Sequence, residues 1–169
     1  QVKNGDQIEL KRLPAAKPVS PTTFNENWLL AHESDLLVVN KPAGLLSQPT
    51  QWRKGDSLLD LVQARFGATT LFHRLDRDTS GVVLFASSRA RNQYLDAVFQ
   101  QRLVIKTYFA IVETPNQLAA NGEIRARLAK DPQRRDKMTA VSRGGKGALT
   151  KYEVVAEKNG RQLVKLQPI

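Results

Sequence analysis

Apolar residues recur in this chain with two periods, and each period predicts elements. Asp35-Leu-Leu-Val-Val-Asn40 is a short, almost wholly apolar run that predicts a buried strand, stopped by Lys41-Pro42-Ala43-Gly44. Ser57-Leu-Leu-Asp60 reads as a capping box that starts a helix over Leu58 to Phe66, with Leu58, Leu61, Val62 and Arg65 on one face and Gly67 at the C-terminal cap. Gly81-Val-Val-Leu-Phe-Ala86 predicts a second buried strand, followed by a helix from Ala90 to Arg102 with Tyr94, Leu95, Val98 and Phe99 as its stripe. Lys106 to Glu113 is apolar on both faces and predicts a central strand. A further strand is expected at Glu123 to Leu128, and Lys130 to Gly147 reads as irregular. Asn159-Gly160 between Leu149–Glu157 and Gln162–Gln167 is a strong hairpin signal. Strands outnumber helices and are joined in part by hairpins, so the expected fold class is α+β on a mixed, largely antiparallel sheet.

The N-terminal stretch reads differently. Residues 1–12 predict a turn and a strand at Gln7 to Leu10, too short to fold alone. Residues 13–23 hold three of the chain's eight prolines and predict an extended linker. The compact part is expected over 24–169. The chain starts at Gln1 and stops at Ile169 inside an expected strand, so both ends read as cut from a longer protein.

Composition narrows the chemistry. There is no cysteine, which removes disulfides, thiolate catalysis and thiolate metal sites. With only His32 and His73, a histidine-rich metal site is not expected. No apolar run is long enough for a membrane helix, and the natural reading is an intracellular, cytoplasmic protein. Lys and Arg number 26 against 16 Asp and Glu, a net charge of +10, which points to a polyanionic partner, most simply nucleic acid.

Most of that excess is local. Between 125 and 151 stand Arg125, Arg127, Lys130, Arg134, Arg135, Lys137, Arg143, Lys146 and Lys151, opposed only by Asp131 and Asp136. Arg143-Gly-Gly-Lys-Gly147 adds a flexible cationic loop. Such side chains neutralise phosphates, release counterions and position a nucleic acid without reading its bases. The plainer reading is a solvated strand-and-loop face.

The most unusual stretch is His73-Arg74-Leu75-Asp76-Arg77-Asp78-Thr79-Ser80-Gly81, where ionisable groups crowd the entry to a buried strand. Such crowding marks functional loops. A structural turn, with Asp78, Thr79 and Ser80 bonding their own backbone, explains the composition equally well.

HRLDRDTSG at 73–81, followed by VVLFA, resembles the RluA-like family of RNA pseudouridine synthases, which isomerise uridine to pseudouridine. LLVVNKPAG at 36–44, KTYFAIV at 106–112 and KGALTKYEVV at 146–155 are similar to further family segments. The resemblance spans about 24–169 and implies the pseudouridine synthase fold with a central RNA-binding cleft. It implies that Asp76 is the catalytic aspartate. A carboxylate is ionised at neutral pH and can act as a nucleophile at a sugar carbon. It places Tyr108 against the target base, where a flat ring stacks and a hydroxyl assists proton removal from carbon 5. Arg74 matches the motif's arginine, which could fill the gap left by an extruded base or pair with phosphate. Arg77, Arg134, Arg135, Lys137, Arg143 and Lys146 are the remaining candidates for RNA contact. His73, Lys41 and Pro42 are expected to be structural, and Thr79, Ser80 and Gly81 to shape the loop.

The resemblance implies no cofactor and no metal, and a monomer is expected. Residues 1–12 resemble the last strand of a small RNA-binding domain that precedes such catalytic domains, which favours large-subunit ribosomal RNA over transfer RNA as partner. The family carries a further arginine motif shortly beyond a strand like Leu163–Pro168, and Ile169 stops short of it.

Two other readings compete. Asp76 and Asp78 stand two residues apart and, in an extended chain, would share a face about 6.6 Å apart, suited to a hydrolase acting on a glycosidic bond. A non-catalytic RNA-binding protein fits the basic segment equally well, though not the intact motif.

Overall fold

The structure is a computed structural model that describes residues 21–50, 55–113, 117–133 and 137–169. The expected N-terminal strand and all but the end of the proline-rich linker lie outside the described residues. The chain divides into two compact units, Gln1–Gln101 and Arg102–Ile169. Each carries one sheet, and every strand pairing in both is antiparallel.

The first unit has the sheet order β1-β2-β4-β3, with β1 (Leu29–Glu33), β2 (Leu36–Lys41), β3 (Thr70–Leu71) and β4 (Gly81–Ala86). The pleat puts Leu37, Val39 and Lys41 of β2 on one face, opposite Phe85, Val83 and Gly81 of β4. All but Gly81 are buried. The sequence pattern does not predict β1. Its alternation is weak, and it forms because Ser34 takes a left-handed turn (φ 47°) that folds the chain back onto β2.

Helix α1 (Leu58–Phe66) begins and ends as its caps predict. Ser57 accepts from Asp60 N, and the Asp60 carboxylate accepts from Ser57 N at 3.0 Å. Leu58, Leu61 and Val62 are buried, whereas Arg65 reaches outward to Glu26 at 2.6 Å. Gly67, at φ 83°, closes the helix. Phe24, Trp28, His32 and Phe66 form an edge-on ring cluster in which the exposed His32 lies against Phe66.

Helix α2 (Arg89–Gln100) is capped by Ser88, which accepts from Arg91 N at 3.0 Å. Only Leu95 of the expected stripe is buried; Tyr94 is 60% exposed, beneath the Arg91 guanidinium rather than in the core. That guanidinium is itself held by Asp35, 2.9 Å from its Nε.

The second unit has the order β5-β9-β8-β6-β7, with β5 (Tyr108–Glu113), β6 (Asn121–Lys130), β7 (Met138–Ala140), β8 (Lys146–Lys158) and β9 (Arg161–Pro168). β5 is an edge strand, not the central one its composition suggests. Among the described residues it pairs with β9 alone, and it alternates half-buried with exposed positions, leaving Phe109 and Ile111 open. Apolar composition measures affinity for burial, not the number of neighbouring strands. The stretch 130–147, expected to be irregular, includes β7 and the start of β8. Asn159 and Gly160, at φ 53° and 73°, make the expected tight turn between β8 and β9.

Asp35 ties the β1–β2 turn to α2. Its carboxylate accepts from Ser88 Oγ and Arg91 Nε, and these bonds hold its pKa below the ordinary 3.8. A lowered carboxylate pKa contributes stability that is complete above the unfolded value and is lost as pH falls through the folded one. The melting temperature of Asp35→Asn is therefore expected to lie below that of the native chain at pH 6 to 8. The gap should narrow as pH drops beneath 3.8. A gap that stays constant into acid would assign the loss to something other than this charge.

Candidate active site

Residues 73–80 cross from β3 to β4 as an irregular segment, held from outside through the His73 side chain and the Leu75 and Arg77 backbone and closed on itself by one turn. His73 Nε2 accepts from Leu84 N at 3.3 Å, with its ring stacked on Phe99. A neutral imidazole that accepts at Nε2 carries its proton on Nδ1. Ser47 Oγ donates to Leu75 O at 2.6 Å and accepts from Leu75 N at 3.0 Å. Arg77 O accepts from Gly44 N at 2.8 Å and from Lys41 Nζ at 3.0 Å. Thr79 N donates to Asp76 O at 3.1 Å, closing a turn.

Asp76 thus stands between two anchored neighbours. Leu75 is buried, while the Asp76 side chain is exposed. The backbone is fixed and the carboxylate is presented to solvent.

Lys41 explains the convergence of these loops. It continues the inward face of β2 after Leu37 and Val39, opposite Gly81. It is fully buried, and its ammonium donates to Leu45 O at 2.7 Å, Pro42 O at 3.0 Å and Arg77 O at 3.0 Å. All three N–H bonds are satisfied by carbonyls. Burial pushes the Lys41 pKa down, and the carboxylates of Asp78 and Asp76 pull it back up.

The start of α1 fixes the other side. Leu58 N donates to Leu46 O at 2.8 Å and Leu59 N to Ser47 O at 3.1 Å, so segment 46–47 satisfies amides that a helix leaves unpaired. Sequence reasoning assigns no role in the site to Ser47 or to the Gly44 amide. Their partners lie about 30 positions away, and only the short polar Ser47 close to leucines hints at a contact.

The other candidates are distributed unevenly. Arg74 is exposed and in no ion pair among the described residues. Arg77 meets Asp78 through two bonds, Nε–Oδ1 at 3.1 Å and Nη2–Oδ2 at 3.3 Å, which raise the arginine's pKa and lower the aspartate's. Asp76 and Asp78 belong to a turn, so the extended pair supposed for a glycosidase does not occur.

In the second unit, Tyr108 is half-exposed on β5 and shares a cross-strand row with Leu166, Tyr152 and Gly122. The Tyr152 side chain lies over Gly122, where an added Cβ would meet its hydroxyl at 2.7 Å and its ring at 2.8 Å. Register puts Lys130 and Lys146 on this same face, but Arg125, Arg127 and Lys151 on the opposite one. Arg125 pairs with Glu123, and Arg127 donates to Gly144 O and Gly145 O. Lys137, Arg143 and Lys146 are exposed and in no ion pair among the described residues. Arg134 and Arg135 lie outside the described residues. No helix among the described residues is long and apolar enough to cross a membrane.

An exposed carboxylate on an anchored turn is a candidate nucleophile or acid–base group. Residues 35–169 match the RNA pseudouridylate synthase family, and the chain belongs to that family. It is similar to the dual-specificity RNA pseudouridine synthase RluA of Yersinia pestis, at 38% identity over 83% of this chain and 69% of that one. It is also similar to the ribosomal large subunit pseudouridine synthase C of Rickettsia felis, at 30% identity over 100% of this chain and 61% of that one. Among solved structures, the human RNA pseudouridylate synthase domain containing 4 superposes with a TM-score of 0.62 at 29% identity, covering 84% of this chain and 59% of that one. The chain thus spans roughly half to two thirds of the curated relatives it matches.

Removing the buried ammonium takes a donor from three carbonyls, of which Arg77 O keeps the Gly44 amide. Each charge-assisted bond is worth about 1.5–3 kcal/mol, set against a desolvation penalty of several kcal/mol. Lys41→Met is expected to lower unfolding free energy by about 3 kcal/mol, read as the urea midpoint. A midpoint within error of the native one would mean that the ammonium does not hold these loops.

Proposed function

We propose that this chain is the catalytic part of an RNA pseudouridine synthase that isomerises uridine in large-subunit ribosomal RNA. The observation that carries the reading is the exposed Asp76 carboxylate on a backbone anchored at Leu75 and Arg77. Family membership supplies the reaction. The Rickettsia felis relative, whose name specifies the ribosomal large subunit, aligns over all of this chain, whereas the dual-specificity relative aligns over 83%. That difference supports ribosomal RNA.

The reaction balances within the nucleoside. The bond from ribose C1′ to uracil N1 breaks, the base turns, and C1′ bonds to C5; C5 loses a proton and N1 ends with one. No electrons are gained or lost. Asp76 is the carboxylate that engages the extruded nucleoside. Tyr108 stacks on the base and assists removal of the C5 proton. Arg74, with no ion pair among the described residues to compete for it, occupies the gap in the RNA stack. Unstacking is cheapest in loops and bulges, so the target uridine lies in one.

Incubating the full-length protein with deproteinised ribosomal and transfer RNA and mapping pseudouridine tests this reading. Asp76→Asn should lose about a thousandfold or more in rate while still binding RNA. Unchanged turnover would remove Asp76 from the chemistry, and product on transfer RNA alone would move the substrate.

Lys137, Arg143 and Lys146 are the cations assigned to phosphate. Replacing all three with Gln should flatten the dependence of log affinity on log salt by up to about 2 to 3, leaving the rate at saturating RNA unaltered. An unaltered slope would place phosphate binding elsewhere.

A further inference from the structure

We propose that Ser47 is a positioning residue that sets where Asp76 stands, acting through the Leu75 peptide. The inference rests on the proposed role of Asp76 and deepens it. Ser47 is buried, with 4% of its surface exposed. Its hydroxyl both donates to Leu75 O at 2.6 Å and accepts from Leu75 N at 3.0 Å, so one side chain takes up both polar groups of the residue before Asp76. A buried amide and carbonyl on an irregular segment have no ladder to join, and leaving them unpaired is costly.

The Ser47 backbone is itself anchored to α1. Its carbonyl accepts from Leu59 N at 3.1 Å, and Leu46 O accepts from Leu58 N at 2.8 Å. Rigidity therefore passes from the first turn of α1, through the Ser47 backbone, across its hydroxyl, to the peptide that carries Asp76. No other described hydrogen bond reaches Leu75. On the far side, Lys41 and Gly44 hold only the carbonyl of Arg77. Without Ser47 the segment keeps that anchor and pivots about it. A displacement of 1 Å at a reacting group is enough to cost about a hundredfold in rate.

The test uses full-length protein and RNA substrate. Ser47→Ala should lower kcat by about 10- to 100-fold with KM and RNA affinity retained, the pattern for loss of an interaction that matters only during reaction. Ser47→Thr, which keeps the hydroxyl, should restore most of that rate. Ser88→Ala, which removes the cap of α2 and a partner of Asp35, serves as a control for lost stability, with kcat expected unchanged. Hydrogen exchange of the Leu75 amide should be slow in the native protein and fast in Ser47→Ala.

Native kcat in Ser47→Ala beside an inactive Asp76→Asn would overturn the positioning role while leaving the proposed function intact. So would an equal fall in Ser88→Ala. Fast exchange at Leu75 in the native protein would overturn the role even if Ser47→Ala does not fold. Full turnover in Asp76→Asn would instead sink the proposed function, and this inference with it.

Discussion

The first unit is organised around one buried ammonium. The strand alternation that sends Leu37 and Val39 inward sends Lys41 inward as well, so the core ends in a charge. A charge in that position is tolerated only if its donors are met. The donors are met by three carbonyls from two segments: Pro42 and Leu45 just after β2, and Arg77 some 36 residues on. The energetic return is small, because desolvation offsets most of the gain from the hydrogen bonds. The arrangement contributes geometry instead. Two segments without regular structure are forced to meet, and the meeting point is one residue from Asp76.

The fold is legible in the sequence wherever the determining physics is local. The Ser57 capping box, the Gly67 cap, the Asn159-Gly160 turn and the strand Gly81–Ala86 depend on residues within a few positions of one another. β1 escapes such a reading because its strand character comes from pairing with β2 rather than from its own alternation. The composition of β5 points to the middle of a sheet because side chains record burial preference, not neighbours. Spacing assigns Tyr94 to the helix stripe, yet an arginine held by Asp35 offers it a cation to lie beneath.

The site is legible in the same partial way. Residues 73–81 stand out by composition and by family resemblance, but nothing local tells whether Asp76 or Asp78 faces outward alone. Their partners distinguish them: Asp78 is engaged by Arg77, and Asp76 is not. The basic segment gives the opposite lesson. Counted along the chain it is one cluster, but the pleat divides it between two faces, and Glu123 and the Gly144–Gly145 carbonyls engage two of its arginines. Clustering in sequence thus overstates the charge that any one face presents to a phosphate backbone.

Lys41 and Ser47 act on opposite sides of Asp76 by different means. The lysine joins segments through the strength of a desolvated charge. The serine fixes the two peptide groups that flank Leu75 through the direction of two hydrogen bonds. A catalytic carboxylate needs both properties at once: an anchored backbone, so that its oxygen atoms occupy a defined place before substrate arrives, and an open side chain, so that they can reach it. Placing the anchors on the neighbours' main chain satisfies the first requirement without burdening the second. A clamp on the carboxylate itself, of the kind that Arg77 makes with Asp78, occupies the lone pairs that a nucleophile or general base must keep open.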